Sequence, residues 1–361
     1  MYNWQHKLWP EFTYNHSILD HSLLHFMLKS GELKGIISAL PEGVGTETII
    51  QIMVAEAIKT SEIEGEIYNR VDVMSSMRKN LGLAISSETK DKRTIGLSRL
   101  LIDVRRSFQE PLTESKLLEW HKLLLGTSKG INAGQWRTGS TPMQVISGSL
   151  VNPTVHFEAP PSNRVPSEMK RFIEWFNQDV IKSPIIKAAI AHLYFESIHP
   201  FEDGNGRIGR AISEKAISQG LNSPILFSIS KSIEKHKAEY YKALQDAQQK
   251  LDISQWLDWF TSILLDAQEN SEQTILFTVQ KVKFFDKHDQ NLNERQRKVI
   301  NRMLEEGPDG FKGGMNAKKY MSIANTSKAT ATRDLQNLVE MNVFSMHGGS
   351  RSIRYEVQLY S

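Results

Sequence analysis

The chain has 361 residues, 40% of them hydrophobic and 24% charged, which is ordinary globular composition and a length for two or three domains. It holds no cysteine, so disulfides, thiolate metal sites and cysteine nucleophiles are excluded. The net charge of +3 is too small to imply a nucleic-acid partner by itself, no apolar run approaches the roughly 18 residues of a membrane span, and the N-terminal text MYNWQHKLWPEF has no basic stretch followed by an apolar core, so a cytoplasmic protein is expected.

Most of residues 16–265 read as helix. Apolar residues recur at three- and four-residue spacing in SILDHSLLHFMLKS, ETIIQIMVAEAIKTSEI, ESKLLEWHKLLLG, EMKRFIEWFNQDVI and IIKAAIAHLYFESI. Glycine and proline fall between these segments. SETKDKR (87–93) reads as a polar loop or helix end. Residues 134–161 break the helical pattern with Thr, Val, Ser, Gly and Pro, and MQVI and TVHFE predict two short strands of a hairpin.

The stretch HPFEDGNGRIGR (199–210) follows. Pro200 cannot continue a helix and pushes His199 out of helical geometry. Gly204 and Gly206 allow an open turn whose N–H groups point inward, and GRIGRAISEKAIS predicts a new helix from about 205. A helix start behind a glycine turn is a ready anion site. Arg207 and Arg210, three apart, are expected to face one anion. Asp203 would oppose that anion unless it carries a hard cation such as Mg²⁺. A mere helix start needs less than this set of residues. His192, Glu196 and His199, at i, i+4 and i+7, offer a zinc alternative, though not in the order of a zinc protease helix.

The stretch from His199 to Arg210 resembles the Fic family pattern HPFx(D/E)GNGRxxR at every fixed position. That resemblance implies a mainly α architecture: a helical Fic domain with a small β-hairpin flap, a helical N-terminal module and a C-terminal winged helix. It implies transfer of AMP from ATP to a Tyr, Thr or Ser hydroxyl of a protein target, the chain itself included. By position, His199 would be the general base and Asp203 would hold Mg²⁺. Gly204, Asn205 and Gly206 would bind the α- and β-phosphates, and Arg207 and Arg210 the β- and γ-phosphates. Ile208 and Gly209 complete the nucleotide-binding run. Phe201 is expected to pack inward. Residues 134–158 stand where the family has its flap, which holds a target segment by adding a strand; a purely structural hairpin is the alternative. Tyr240 and Tyr241, in KAEYYKALQDAQ, resemble a helix that borders the nucleotide, with core packing the other fate of such residues.

Upstream, Thr60-Ser61-Glu62-Ile63-Glu64-Gly65 resembles the family's inhibitory pattern (S/T)xxxE(G/N). The resemblance pairs Glu64 with Arg210 and so blocks productive ATP binding. An exposed glutamate before a helix-ending glycine is the plain alternative. Removal of AMP, with Glu64 activating water, is a second reading. The N-terminal text resembles a module found in one group of bacterial Fic proteins, and the resemblance suggests a homodimer.

The C-terminal part is the basic one. Residues 291–361 hold 11 Lys/Arg and 7 Asp/Glu, a net of +4, against −1 for the other 290. LNERQRKVINRMLEEG predicts an amphipathic helix. AKKYMSIAN and SKATATRDLQNLVEMN predict two helices about a turn at 325–326. NVFSMHGG and SRSIRYEV predict strands about 348–349. That is the order of a winged helix. Arg333, Arg351 and Arg354 are candidate phosphate contacts for DNA, with protein docking as the alternative and a regulator that senses nucleotide as the corresponding function. The expected divisions are 1–100, 101–265, a linking helix over 266–290, and 291–361.

Overall fold

The computed structural model describes residues 1–15, 20–84, 88–149, 152–178, 180–349 and 352–359. In chain order the helices are α1 (Asp20–Ala39), α2 (Glu42–Ile63), α3 (Arg70–Asn80), α4 (Lys92–Arg106) and α5 (Glu114–Leu125). Strands β1 (Gln144–Ser149) and β2 (Asn152–Glu158) follow, then α6 (Val165–Asn177), α7 (Pro184–Ile198), α8 (Asn205–Gly220), α9 (Ile229–Lys235) and α10 (Lys237–Ala247). The chain continues with α11 (Ser254–His288), α12 (Glu294–Leu304), α13 (Ala317–Ala324), α14 (Lys328–Glu340), β3 (Phe344–His347) and β4 (Arg354–Val357). The fold is mainly α, as the apolar spacing predicts. Among the described residues, no helix is long and apolar enough to cross a membrane.

Two compact units emerge: residues 1–35 with 52–270, and residues 36–51 with 271–361. The first is organised around α7. Every residue of that helix with a described side chain, except Lys187, is buried, because PIIKAAIAHLYFESI is apolar all round and so belongs inside a helical layer rather than at its surface. α8 packs along it. The close approach is set by Gly209, where a Cβ would lie 2.7 Å from Glu196 Oε1 and 3.2 Å from His192 Nδ1. The N-terminal segment pins this core from outside. Asn3 Nδ2 donates to Ser197 Oγ at 2.8 Å, and Trp4 Nε1 to the Glu158 carbonyl at 2.7 Å.

The polar stretch before α4 is a helix start: Asp91 is the N-cap and accepts from the Arg93 N–H at 3.1 Å; residues 85–87 lie outside the described set. The predicted strands are β1 and β2, antiparallel, with Gln144 opposite Glu158 and an irregularity after Val145. Their exposed surface carries Ile146 opposite Val155. The tip, 150–151, lies outside the described residues.

In the second unit, α12, α13, α14 and the β3–β4 hairpin share one core that includes Val299, Ile300, Met315, Tyr320, Leu335 and Phe344. Met315 bridges antiparallel to Tyr355. Helix, short bridge, helix-turn-helix and hairpin is the order of a winged helix. The turn is made by Asn325 in left-handed conformation (φ 49°). Arg351, an expected wing cation, lies outside the described residues.

Candidate active site at the junction of α7 and α8

His199 is where the sequence puts it, one residue past α7. It closes the helix as a left-handed cap (φ 50°, ψ 60°), its N–H donating to the Phe195 carbonyl at 2.9 Å. The carbonyl end of α7 is held by Arg137, a residue the sequence reading did not single out. Its side chain donates to the carbonyls of His199 (2.7 Å), Ile198 (3.3 Å) and Pro160 (2.5 Å). A cation on these carbonyls complements the negative helix end, and the Pro160 bond ties the exit of the flap to the same point. The His199 imidazole is mostly enclosed. Burial, and then the Arg137 charge, push its pKa down to about 4, so the ring is neutral at pH 7. Its Nδ1 lies 3.6 Å from Glu196 Oε2.

The loop from Pro200 to Gly204 is fastened by its own side chains. Phe201 is fully buried and stacks on His121, with centroids 3.9 Å apart at 13°. Asn205, expected on a phosphate, turns its amide back. It accepts from the Phe201 N–H and donates to the Phe201 carbonyl, both at 2.9 Å. Asp203 Oδ1 accepts the Gly204 N–H at 2.6 Å, while the Asp203 carboxylate stays half exposed. Gly204 has φ 80°, the left-handed region that favours glycine. α8 then opens at Asn205 with no side-chain cap and no acid in its first turn. The first N–H groups of a helix have no partner within it, so this end calls for an anion.

An internal anion answers. A Cβ on Gly206 would collide with the Glu64 carboxylate and come within 3.0 Å of Arg210 Nη1. Only glycine at this position lets Glu64 reach the start of α8. Arg210 Nη2 donates to Glu64 Oε1 at 2.7 Å and to the Thr60 carbonyl at 2.8 Å, while Nε donates to Thr60 Oγ1 at 2.8 Å. Burial would raise the Glu64 carboxyl, but Arg210, with Arg207 and Lys237 adding to it, holds the group below its ordinary range. Thr60 and Glu64 of the inhibitory pattern therefore both hold Arg210.

Arg207 does not share that carboxylate. Its Nη1 donates to Glu66 Oε2 at 2.9 Å, and Glu66 also accepts from the Tyr68 hydroxyl at 2.8 Å. The two arginines expected on one anion are thus held by separate carboxylates, Arg210 by Glu64 and Arg207 by Glu66, two residues apart on the exit of α2, with Asp203 Oδ1 also 3.7 Å from Arg207 Nη2. Both guanidiniums keep a buried nitrogen without a hydrogen-bond partner, Arg207 Nε and Arg210 Nη1. Glu66 was missed because it lies 141 residues from its partner and belongs to no motif.

The remaining candidates are more dispersed. Ile208 is fully buried, and Gly209 faces α7. Tyr240 is buried with its hydroxyl 2.9 Å from His192 Nε2, whereas Tyr241 is 40% exposed and donates to the Ile63 carbonyl at 3.2 Å. His192 is therefore a packed histidine, stacked on Trp256. Among the described residues, no group of three or more His, Asp or Glu is placed to hold a metal ion, which leaves the zinc alternative without support. A cation on Asp203 would need its other ligands from phosphate and water, the usual manner for Mg²⁺, and a half-exposed carboxylate beside an anion site suits it.

A helical domain whose central helix ends on a neutral histidine, next to a helix start with two buried guanidiniums, has the groups to receive a phosphate-bearing ligand. Comparison with known proteins narrows this. Residues 111–216 match the model of the Fic/DOC family, and residues 2–83 match a domain of unknown function, DUF4172. The chain carries a domain of the Fic/DOC family. It is 25% identical over 194 residues to protein adenylyltransferase fic-1 of Caenorhabditis elegans, covering 52% of this chain and 35% of that protein. It is 26% identical over 190 residues to protein adenylyltransferase Fic of Culex quinquefasciatus, covering 51% and 35%. The chain thus spans about a third of the length of these curated relatives. Among solved structures, a Fic family protein from Desulfovibrio desulfuricans superposes with TM-score 0.54 at 20% identity, over 97% of this chain and 98% of that one. Fic-1 of C. elegans gives TM-score 0.50 at 21% identity, over 71% and 73%. These are likenesses of fold.

Proposed function

We propose that the site is a protein adenylyltransferase, moving AMP from ATP to a protein hydroxyl, and that Glu64 holds it inactive. The observation that carries the reading is the Glu64 carboxylate seated on Arg210 beside Gly206 at the uncapped start of α8, the position a phosphate would take. The names of the curated relatives support the reaction class.

The neutral imidazole of His199 accepts the proton of a Tyr, Thr or Ser hydroxyl. The hydroxyl oxygen bonds to the α-phosphorus of ATP, the bond to the bridging oxygen breaks, and pyrophosphate leaves with that electron pair. The open N–H groups at the start of α8 and the spare nitrogens of Arg207 and Arg210 receive the phosphate oxygens. Asp203 would hold Mg²⁺, which when bound offsets phosphate charge. The flap presents the exposed Ile146 and Val155 to an extended target segment. Arg137 fixes the flap exit to the His199 carbonyl, so acceptor and base are registered to one point.

While Glu64 occupies Nη2 of Arg210, the terminal phosphate cannot take that nitrogen. With α-labelled ATP the expected result is weak self-labelling by wild type, strong labelling by Glu64→Gly, and none by His199→Ala. Equal labelling of all three ends the proposal. Removal of AMP is the second reading, motivated by the ionised state of Glu64. Loss of label from a premodified target, abolished in Glu64→Gly, identifies it.

A further inference from the structure

The helix-turn-helix of α13 and α14 takes no part in this chemistry, yet several of its cations stand apart from any acid. The arginines of α12 are paired. Arg295 forks onto Asp334 (2.9 and 3.2 Å), Arg297 meets Asp289 at 2.7 Å, and Arg302 meets Glu306 at 2.6 Å. On the hairpin, Glu356 faces His347 at 3.7 Å. Lys318 on α13, Lys328 and Arg333 on α14 and Arg354 on β4 are exposed, and among the described residues none of them makes an ion pair; Lys298 on α12 and Lys312 before α13 are exposed without one as well. Lys319 is spent locally, on the carbonyls of Lys312 and Gly314.

α14 buries Ala331, Asp334, Leu335 and Leu338 and turns Lys328, Thr332, Arg333 and Gln336 outward. The outward stripe meets no acid until Glu340, at the helix end. It holds no large apolar side chain, which is what the centre of a protein-docking surface uses. Among the described residues of 291–361, Met346 on the hairpin is the one exposed large hydrophobic. Below the stripe, Asp334 takes bonds from Arg295 and from the Tyr320 hydroxyl (3.0 Å), which locks α12, α13 and α14 together. The outward face is therefore rigid, cationic and rich in hydrogen-bond donors.

We infer that this surface binds duplex DNA, with α14 in the major groove and Lys318, Lys328, Arg333 and Arg354 on phosphates. The inference is independent of the adenylylation chemistry. It is tested on the full chain by fluorescence anisotropy with a labelled 25-base-pair duplex of mixed sequence. Four phosphate contacts, each contributing a logarithmic salt slope of about 0.9, weaken binding about 150-fold between 50 and 200 mM salt. Arg333→Gln or Lys328→Gln weakens binding at 50 mM and cuts that fall to about 40-fold, with no change in thermal midpoint. Lys242→Gln, an exposed cation paired with Asp246 at 3.0 Å, is the control and binds as wild type. No binding at 50 mM salt overturns the inference. So does an unchanged salt slope in both variants, or competition by polyglutamate as effective as unlabelled duplex, which points to an acidic protein partner.

Discussion

Replacing Glu64 with glycine perturbs two quantities whose sizes follow from one contact. In the wild-type chain Arg210 gives Nη2 to Glu64 at 2.7 Å, and its side chain is only 1% exposed. Removing the carboxylate opens this guanidinium to a phosphate. One charge-assisted hydrogen bond of about 1.5–3 kcal/mol then becomes available to nucleotide, a gain of roughly 10- to 150-fold in affinity. The same substitution leaves a buried cation without its counter-ion. A broken buried pair costs up to about 3–5 kcal/mol; Glu64 is 28% exposed, so the low end applies. Glu64→Gly should therefore melt lower than wild type without nucleotide, and ATP should recover most of the loss, because a ligand that binds only the folded state stabilises it by mass action. Calorimetric titration with ATP and thermal melts with and without it measure both effects. If affinity rises with no loss of stability in the free protein, Arg210 is not the group being released, and the competition argument fails.

Glu66 holds Arg207, so Glu66→Gln in the Glu64→Gly background should raise ATP affinity a further several-fold, whereas Glu66→Gln alone should change little while Glu64 still occupies Arg210; titration of the four combinations decides it. Gly209→Ala drives a methyl against Glu196 and His192 and should lower stability by about 1–3 kcal/mol in urea melts, and a neutral result means that α7 and α8 can separate at no cost. The His199 pKa lies near 4 when folded against 6.5 ordinarily. The unfolded chain therefore binds the extra proton first, and the stability from keeping this ring neutral is fully present above about pH 6.5 and lost toward pH 4. His199→Gln should flatten the pH dependence of the urea midpoint in that window by roughly 2 kcal/mol between pH 6.5 and 4.5, a difference that cancels the opposite drift from Glu196, whose pKa burial pushes up to about 8.

Much of the fold could be read because its signals are local. The apolar spacing of α5 and α7, the proline after His199 and the glycine turn before α8 each act within a few residues, and the 12-residue motif sets the geometry of its own loop. The hairpins and the helix-turn-helix announce themselves through turn residues in the same way. What was not legible is what holds the motif. Arg137 reaches His199 across 62 residues, and His121 reaches the Asp203 carbonyl across 82. No periodicity encodes such pairings. Asn205 shows the same limit. Its place in the motif suggests phosphate, while in the structure its amide bonds the Phe201 N–H and carbonyl, a role in shaping the loop that the motif does not announce.

The contact proposed to inhibit follows from the same burial that the proposed site requires. Arg207 and Arg210 are 3% and 2% exposed. A guanidinium so enclosed grips phosphate strongly because little water competes for it, and for the same reason it cannot remain unpaired when phosphate is absent. The exit of α2 supplies resident counter-ions, Glu64 for one arginine and Glu66 for the other. Inhibition on this account is the state in which the empty site is electrostatically complete, and a ligand must displace an interaction as strong as the one it forms. Relief and stability are then coupled: a substitution that frees either arginine should weaken the nucleotide-free fold, and the variant that binds ATP best should depend on it most.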